Sequence, residues 1–284
     1  MAAGAGCYAA YLTPQGRMIS DMRVFETGDA ILMDLEGAVV TTVRDRLSQF
    51  IFSEDVEVHD LTPATAQIGV YGPAAAQVVA KAVGTLQVED LDRIAGIMAA
   101  TDVRGAKLYV LRSDDVGVSG FDLIADEGRF TELTQALRDA GAVDVDEQTA
   151  ETTRIEAARP RFGVDMDEDT IPLEAGIEDR AISLTKGCYV GQELIVRVLH
   201  RGHGRVARRL VQLRFDSEAP VPERGAAIFA GERQIGAVTS AAYSPAAGSA
   251  IALGYVHRDF TAAGTSVTVA GHSASVAAAP LVIA

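Results

Sequence analysis

The side chains best able to do chemistry crowd between residues 154 and 205. Lys186-Gly-Cys-Tyr-Val-Gly-Gln-Glu193 sets a thiol beside an ammonium group, between two glycines. A neighbouring cation, or a turn rich in backbone N–H groups, lowers a thiol pKa and favours the reactive thiolate. Cys188 and Lys186 are therefore candidate catalytic residues, although an isolated cysteine is more commonly a small buried hydrophobe. Upstream, Pro172-Leu-Glu-Ala-Gly176 carries Glu174. A carboxylate accepts two parallel N–H donors in a fork, a strong and directional arrangement. A glutamate at a helix start is also favoured by the macrodipole, so Glu174 admits a purely structural reading.

Downstream, Arg197, His200, Arg201, His203, Arg205, Arg208 and Arg209 occur together without one acid among them. Such a run is either a solvated face paired with acids such as Asp165, Asp167, Glu168 and Asp169, or a landing strip for an anionic ligand. His200 and His203 lack further ligands, and Gly202 and Gly204 argue against a helix there, so no metal site is expected.

The elements that must position these groups fall into two parts. Strands are expected at Tyr8–Leu12 and Met22–Phe25, around the turn Thr13-Pro-Gln-Gly16. Apolar spacing predicts a helix over Gly37–Phe52, then strands at Val56–Leu61 and Gln67–Tyr71 and a helix from Pro73 to about Val83. Further strands at Lys107–Arg112 and Val118–Ile124 precede a helix through Phe130, Leu133, Leu137 and Ala140 that stops at Gly141. This interleaving predicts an α+β domain with antiparallel sheet over residues 1–205. No phosphate-binding glycine motif follows any strand, which argues against a doubly wound sheet. From residue 206 to 284 the pattern becomes period-2, with Val211, Leu213 and Phe215 alternating against Gln212 and Arg214. Short strands at Ala226–Phe229, Gln234–Ser240, Ile251–Tyr255, Ser266–Val269 and Ser273–Ala277 predict a small β-barrel or sandwich. The stretch Ala277–Ala284 reads as a tail or an edge strand.

Composition narrows the partners. The 284 residues carry 25 Lys and Arg against 39 Asp and Glu, a net charge of −14. Phosphate backbones repel such a chain, so nucleic acid is excluded as a main partner. No apolar run is long enough to span a membrane. The opening Met1-Ala-Ala-Gly-Ala-Gly-Cys7 has neither the basic nor the apolar region of an export signal, so a cytoplasmic protein is expected. Cys7 and Cys188, the two cysteines present, supply neither a disulfide framework nor the four thiolates of an ordinary iron–sulfur cluster.

Arg154-Ile-Glu-Ala-Ala-Arg-Pro-Arg-Phe-Gly163, Pro172-Leu-Glu-Ala-Gly176 and the octet Lys186–Glu193 together resemble the linked motifs of the YgfZ family, relatives of the glycine-cleavage aminomethyltransferase. The octet is the part that resembles the YgfZ branch specifically. The resemblance implies an aminomethyltransferase-like folate-binding domain, a C-terminal barrel, and tetrahydrofolate or a one-carbon derivative as cofactor. It implies that Glu174 holds the pterin, whose amide N–H and exocyclic amine form a parallel donor pair, and that Cys188 is functional. Thr13-Pro-Gln-Gly-Arg-Met-Ile-Ser-Asp21 resembles a family loop ending in two aspartates, the second catalytic; Ser20 stands in the first place, and Asp21 is a candidate folate contact. Arg197 and its basic neighbours would meet the carboxylates of a folate glutamate tail. The function implied is support of iron–sulfur enzymes through assembly, maintenance or repair, with iron–sulfur client or assembly proteins as partners. The alternative is a folate-dependent aminomethyl or one-carbon transferase, and a third class is a structural adaptor without ligand. Family members begin with a further strand-and-helix unit before the stretch matching Gly6-Cys-Tyr8, so a shortened N-terminal part is expected: either Met1 is an internal start, the reading preferred because loss of a core strand exposes an edge, or a natural variant lacks part of the pocket wall and one element of the sheet.

Overall fold

The computed structural model describes residues 1–101, 105–200, 205–278 and 280–281. It divides into two compact units, one of Met1–Tyr8 with Met22–Val145, the other of Ala9–Asp21 with Asp146–Ala284. The first sheet, in the order β1-β2-β3, comprises β1 (Gly6–Leu12), β2 (Met18–Glu26) and β3 (Ile31–Asp34). The tip of its β1–β2 hairpin belongs to the second unit. None of the described helices is long and apolar enough to cross a membrane.

In the first unit, α1 (Val40–Ser48) precedes β4 (Thr65–Tyr71), α2 (Ala75–Val83), α3 (Val88–Asp92), β5 (Ile97–Thr101), β6 (Lys107–Ser113), β7 (Gly120–Asp126) and α4 (Phe130–Ala140). The four strands pair antiparallel in the order β4-β7-β6-β5. Ala75, Val78, Val79 and Val83 fall on one stripe of α2 and bury it with Leu137 against Val70, Val110, Phe121 and Leu123. Phe25 and Leu32 cover Ile97, Leu111 and Ile124 on the sheet's other side. With both faces covered, Asp122 on β7 is buried and must find partners. The Tyr71 hydroxyl donates to Oδ1 at 2.6 Å and Arg23 Nη1 to Oδ2 at 2.6 Å. Burial, reinforced by that carboxylate, pushes the Tyr71 phenol well above its ordinary pKa.

Two expectations fail in this unit. The helix over Gly37–Phe52 begins as a 3-10 turn and stops at Ser48, leaving Phe50 and Phe52 exposed. Val56–Leu61 forms no strand. Local turns close on either side of it: Glu54 accepts from Phe52 and Ser53 N–H before the stretch, and Asp60 from Thr62 N–H after it. Conversely β5, whose Ala-rich sequence gives little strand signal, forms because β6 pairs with it from Ile97 to Thr101.

The second unit holds α5 (Glu147–Glu156), α6 (Pro172–Ala175), α7 (Glu178–Ala181), α8 (Gln192–His200), and strands β8 (Arg208–Phe215), β9 (Ala227–Ala230), β10 (Arg233–Ser244), β11 (Ser249–His257), β12 (Ser266–Val269) and β13 (His272–Val276). The strands close into a barrel in the order β10-β11-β8-β13-β12-β9, which removes both sheet edges. Leu213, Ile228, Val238, Ala252, Val267 and Val276 fill its core. The fold is thus α+β with antiparallel sheet and a closed C-terminal barrel, as the periodicities require.

Gln212 departs from the simple alternation. It lies on the outward face of β8 yet is buried, because α5 packs its C-terminal end there. Its Nε2 donates to the Ile155 and Glu156 carbonyls at 2.7 and 2.9 Å. Those carbonyls end a helix and lack intrahelical partners. The helix opens on Asp146, whose carboxylate accepts from Thr149 N–H at 2.8 Å. Of the stretch Ala277–Ala284, the described residues make no strand, and Leu281 N–H donates to the Glu156 carbonyl.

Candidate functional site

The second unit contains Asp21, Glu174, Lys186, Cys188 and Arg197 alike. Pro172 opens α6 with its preset φ, and Gly176 closes it in the left-handed region. Leu173, Ala175 and Ile177 face inward and are buried, fixing the single turn on which Glu174 sits. The Glu174 side chain is 14% exposed, and Arg208 Nε, on β8, donates to its Oε2 at 3.1 Å. The neighbouring Arg209 donates to Glu178 Oε1 at 2.8 Å. Two successive arginines on one strand thus hold two glutamates four residues apart.

These pairs correct the expected partners of the basic run. Arg208 and Arg209 pair with Glu174 and Glu178, whereas Asp165 pairs with Arg154 and Asp169 with Arg17. The acids that close in space are set by β8 docking on α6, which proximity in sequence does not reveal. Arg197 lies exposed on α8. The run's members Arg201 and His203, with Gly202 and Gly204, lie outside the described residues, as does the His200 side chain.

The Arg208 guanidinium carbon lies 4.5 Å from the centroid of the Tyr255 ring on β11. Tyr255 is buried, and its hydroxyl has no hydrogen-bond partner among the described residues. Burial pushes that phenol well above its ordinary pKa; the Glu174 charge adds to the rise, while Thr170 and Arg208 oppose it.

Cys188 and Lys186 are exposed on the loop before α8. Ser183 Oγ shapes this loop by accepting from Thr185 and Lys186 N–H. The Lys186 ammonium sits 5.0 Å from the Tyr189 ring centroid. Gly191 ends the loop at φ +85°, and a Cβ built there would lie 2.6 Å from the Thr13 carbonyl oxygen. The octet therefore rests on the tip of the β1–β2 hairpin through a position open only to glycine. Gly191→Ala should lower the melting temperature, the strain and clash costing about 1–3 kcal/mol; an unchanged melting curve would show the loop is free of the hairpin.

On the hairpin's other side Met18 N–H donates to the Thr170 carbonyl at 2.9 Å, four residues before Glu174. The hairpin tip thus joins the segments carrying Glu174 and Cys188. Asp21 follows on β2, partly buried. Ser20, beside it, is fully buried, and its hydroxyl is satisfied by the Asp21 carbonyl. A carboxylate in Ser20's place would need a charged partner in a dry setting.

Asp165, which the sequence offers only as a possible partner for the basic run, is the buried hub of this unit. Its Oδ2 accepts from Arg154 Nη1 at 2.7 Å and from Arg161 N–H at 3.1 Å. Its Oδ1 accepts from Ser240 Oγ at 2.6 Å and from Thr239 Oγ1. Adjacent strand residues ordinarily point to opposite faces. Here the register slips between Val238 and Ser240, a bulge that turns both hydroxyls to one carboxylate. Glu151 also accepts from Arg154, and that bond holds its carboxyl below the ordinary range. The hub ties the segment leading into α6 to the barrel.

Chemically, Glu174 uses one of a carboxylate's roughly four acceptor sites on Arg208, so its charge is compensated while capacity remains for a donor pair. The remaining acceptor sites suit a pair of parallel N–H donors.

Comparison with known proteins places these features in context. Residues 1–186 match the GCVT N-terminal domain, and residues 208–282 match the glycine cleavage T-protein C-terminal barrel domain. An aminomethyltransferase of Nostoc sp. is 30% identical over 264 residues, spanning 89% of this chain and 67% of the relative. One of Corynebacterium jeikeium is 30% identical over 287 residues, spanning 93% and 72%. The crystal structure of glycine cleavage system aminomethyltransferase T from Bartonella henselae superposes with a TM-score of 0.82 over 99% of this chain and 77% of that one. At 21% identity that likeness speaks for the fold.

Proposed function

The chain belongs to the glycine-cleavage T-protein family, and from that premise we propose that it binds tetrahydrofolate at Glu174 and transfers a one-carbon unit to or from it. The observation that carries this reading is the Glu174 carboxylate, largely covered and charge-compensated by Arg208, on a turn joined through Thr170 to the β1–β2 hairpin. Relatives named aminomethyltransferase support the transferase class. Asp21, on the same hairpin, is the proposed proton acceptor or electrostatic partner for the folate nitrogens. Arg197, exposed on α8, is the proposed contact for the glutamate tail.

One feature favours a second reading, support of iron–sulfur enzymes in the YgfZ manner: the octet from Lys186 to Glu193, with Cys188 exposed at its centre. Turnover separates the two. Purified chain supplied with tetrahydrofolate and aminomethylated carrier protein should release the one-carbon-loaded folate, and activity should vanish in Asp21→Ala. Folate binding without any turnover would overturn the transferase reading and leave the second, in which Cys188→Ala should impair iron–sulfur enzymes in cells. No folate binding would overturn both.

A further inference from the structure

We propose that the stretch Phe50–Leu61 is a docking surface for a basic amphipathic helix of a partner protein. The inference is independent of where folate binds. Phe50, Phe52, Val56 and Leu61 are 66, 85, 56 and 48% exposed, four large apolar side chains in one short segment. Single exposed apolar side chains are ordinary, whereas a cluster of them marks a contact surface. Chain geometry keeps the Cα atoms of Phe50 and Val56 within about 20 Å of each other. A helix of about 14 residues covers that span.

The segment is held in place by local bonds. Val40, Val43 and Leu47 recur on one face of α1, and Phe50 extends that spacing past the helix end at Ser48. Val43 is buried, while Val40 and Leu47 are only half-buried. Phe50 N–H donates to the Leu47 carbonyl at 3.0 Å, and Ile51 N–H to the Ser48 carbonyl at 3.3 Å. Glu54 accepts from Phe52 and Ser53 N–H at 2.9 and 3.0 Å, closing the turn that carries Phe52. Two aromatic anchors thus stand on backbone that is closed beforehand, which lowers the ordering cost of binding.

Charge selects the partner. Glu54, Asp55, Glu57 and Asp60 lie in the same segment, and no Lys or Arg occurs between Arg46 and Lys81. The Phe52 and Ser53 amides hold the Glu54 carboxyl below its ordinary range, and bonds from Thr62 do the same for Asp60. Arg44, whose charge Asp60 also feels, is paired with Asp45 at 2.8 Å. Apolar anchors set among acids suit a helix with one apolar face flanked by Lys or Arg, a recurring mode of peptide recognition. Such a surface repels anionic lipid and nucleic acid. In a two-fold pair of this chain the segment would meet itself, acid against acid, so a second copy fits it poorly.

The test is fluorescence anisotropy with labelled peptides of about 18 residues, long enough for about five helical turns. One is built of Leu and Lys with Leu at helical spacing, one has Glu in place of Lys, and one scrambles the Leu–Lys order. Wild type should bind the ordered Leu–Lys peptide well above the other two. Phe50→Ser with Phe52→Ser leaves the net charge at −14 and should weaken that peptide at least about tenfold, with an unchanged melting curve. Asp55→Asn with Glu57→Gln should weaken it severalfold at about 0.1 M salt and hardly at about 1 M, where the Debye length falls to about 3 Å. Unchanged affinity in the serine variant overturns the docking surface, because the peptide then follows net charge alone. If that variant unfolds, unchanged affinity of the Asp55→Asn, Glu57→Gln protein at the lower salt overturns it instead. Equal binding of the Glu peptide overturns the basic partner, as does a wild-type dimer in sedimentation that the serine variant dissolves. Wild type that binds none of the peptides overturns the proposal outright.

Discussion

Replacing Glu174 with alanine is expected to abolish measurable tetrahydrofolate binding while leaving the fold intact. Each hydrogen bond to a charged acceptor contributes about 1.5–3 kcal/mol, and two are lost together. The affinity should therefore fall by at least about a hundredfold. Stability should change little, because the Arg208 partner is 41% exposed, where ion pairs contribute roughly 0–1 kcal/mol. Glu174→Gln should be nearly as damaging as alanine, since its amide turns one acceptor into a donor facing the ligand's own donors. Calorimetry gives the affinity and a thermal melt the stability. A variant that still binds within a fewfold of wild type would move the pterin elsewhere.

The second large effect is structural. Asp165 is fully buried and Arg154 is 6% exposed, so their 2.7 Å pair has little water to fall back on. Removing one member of such a pair leaves an uncompensated charge in the interior, at about 3–5 kcal/mol. Asp165→Ala additionally strips the acceptor from Thr239 and Ser240 at the β10 bulge. For a chain of this length the melting temperature should drop by on the order of 10 °C. Asp165→Asn keeps an oxygen for the two hydroxyls but not the charge, and should fall between alanine and wild type. Replacing Arg154 together with Asp165 by apolar residues of matched volume should recover much of the loss. A single variant that melts like wild type would show that water reaches the hub.

What is legible in the sequence is set by the range of the interaction involved. The barrel strands were legible because Val211, Leu213 and Phe215 repeat every second residue, and the period follows from the pleat alone. The helix ending at Gly141 was legible for the same kind of reason, since its stripe and its stop lie within one short window. Val56–Leu61 reads as a strand from its residues too, yet it lies between two locally closed turns and forms none, because a strand also needs a partner that local sequence does not reveal. Gln212 shows the limit from the other side: its polarity marks the outer face, and only the docking of α5 makes that face an interior.

The candidate site divides along the same line. Glu174 and Cys188 stand out in the chain because each sits in a compact motif whose turn residues announce it. Arg208 stood in a run of seven basic residues with nothing to single it out. It is 34 positions from Glu174, and the two meet only because barrel closure fixes the start of β8 beside α6. Tyr255 and the Thr239–Ser240 pair are hidden likewise, the first behind a cross-strand diagonal and the second behind a bulge. Chain-local physics, meaning periodicity, turn chemistry and helix stops, was written in neighbouring residues. Which charge meets which was settled by strand register and layer packing, because those bring together groups whose separation along the chain carries no trace of their contact.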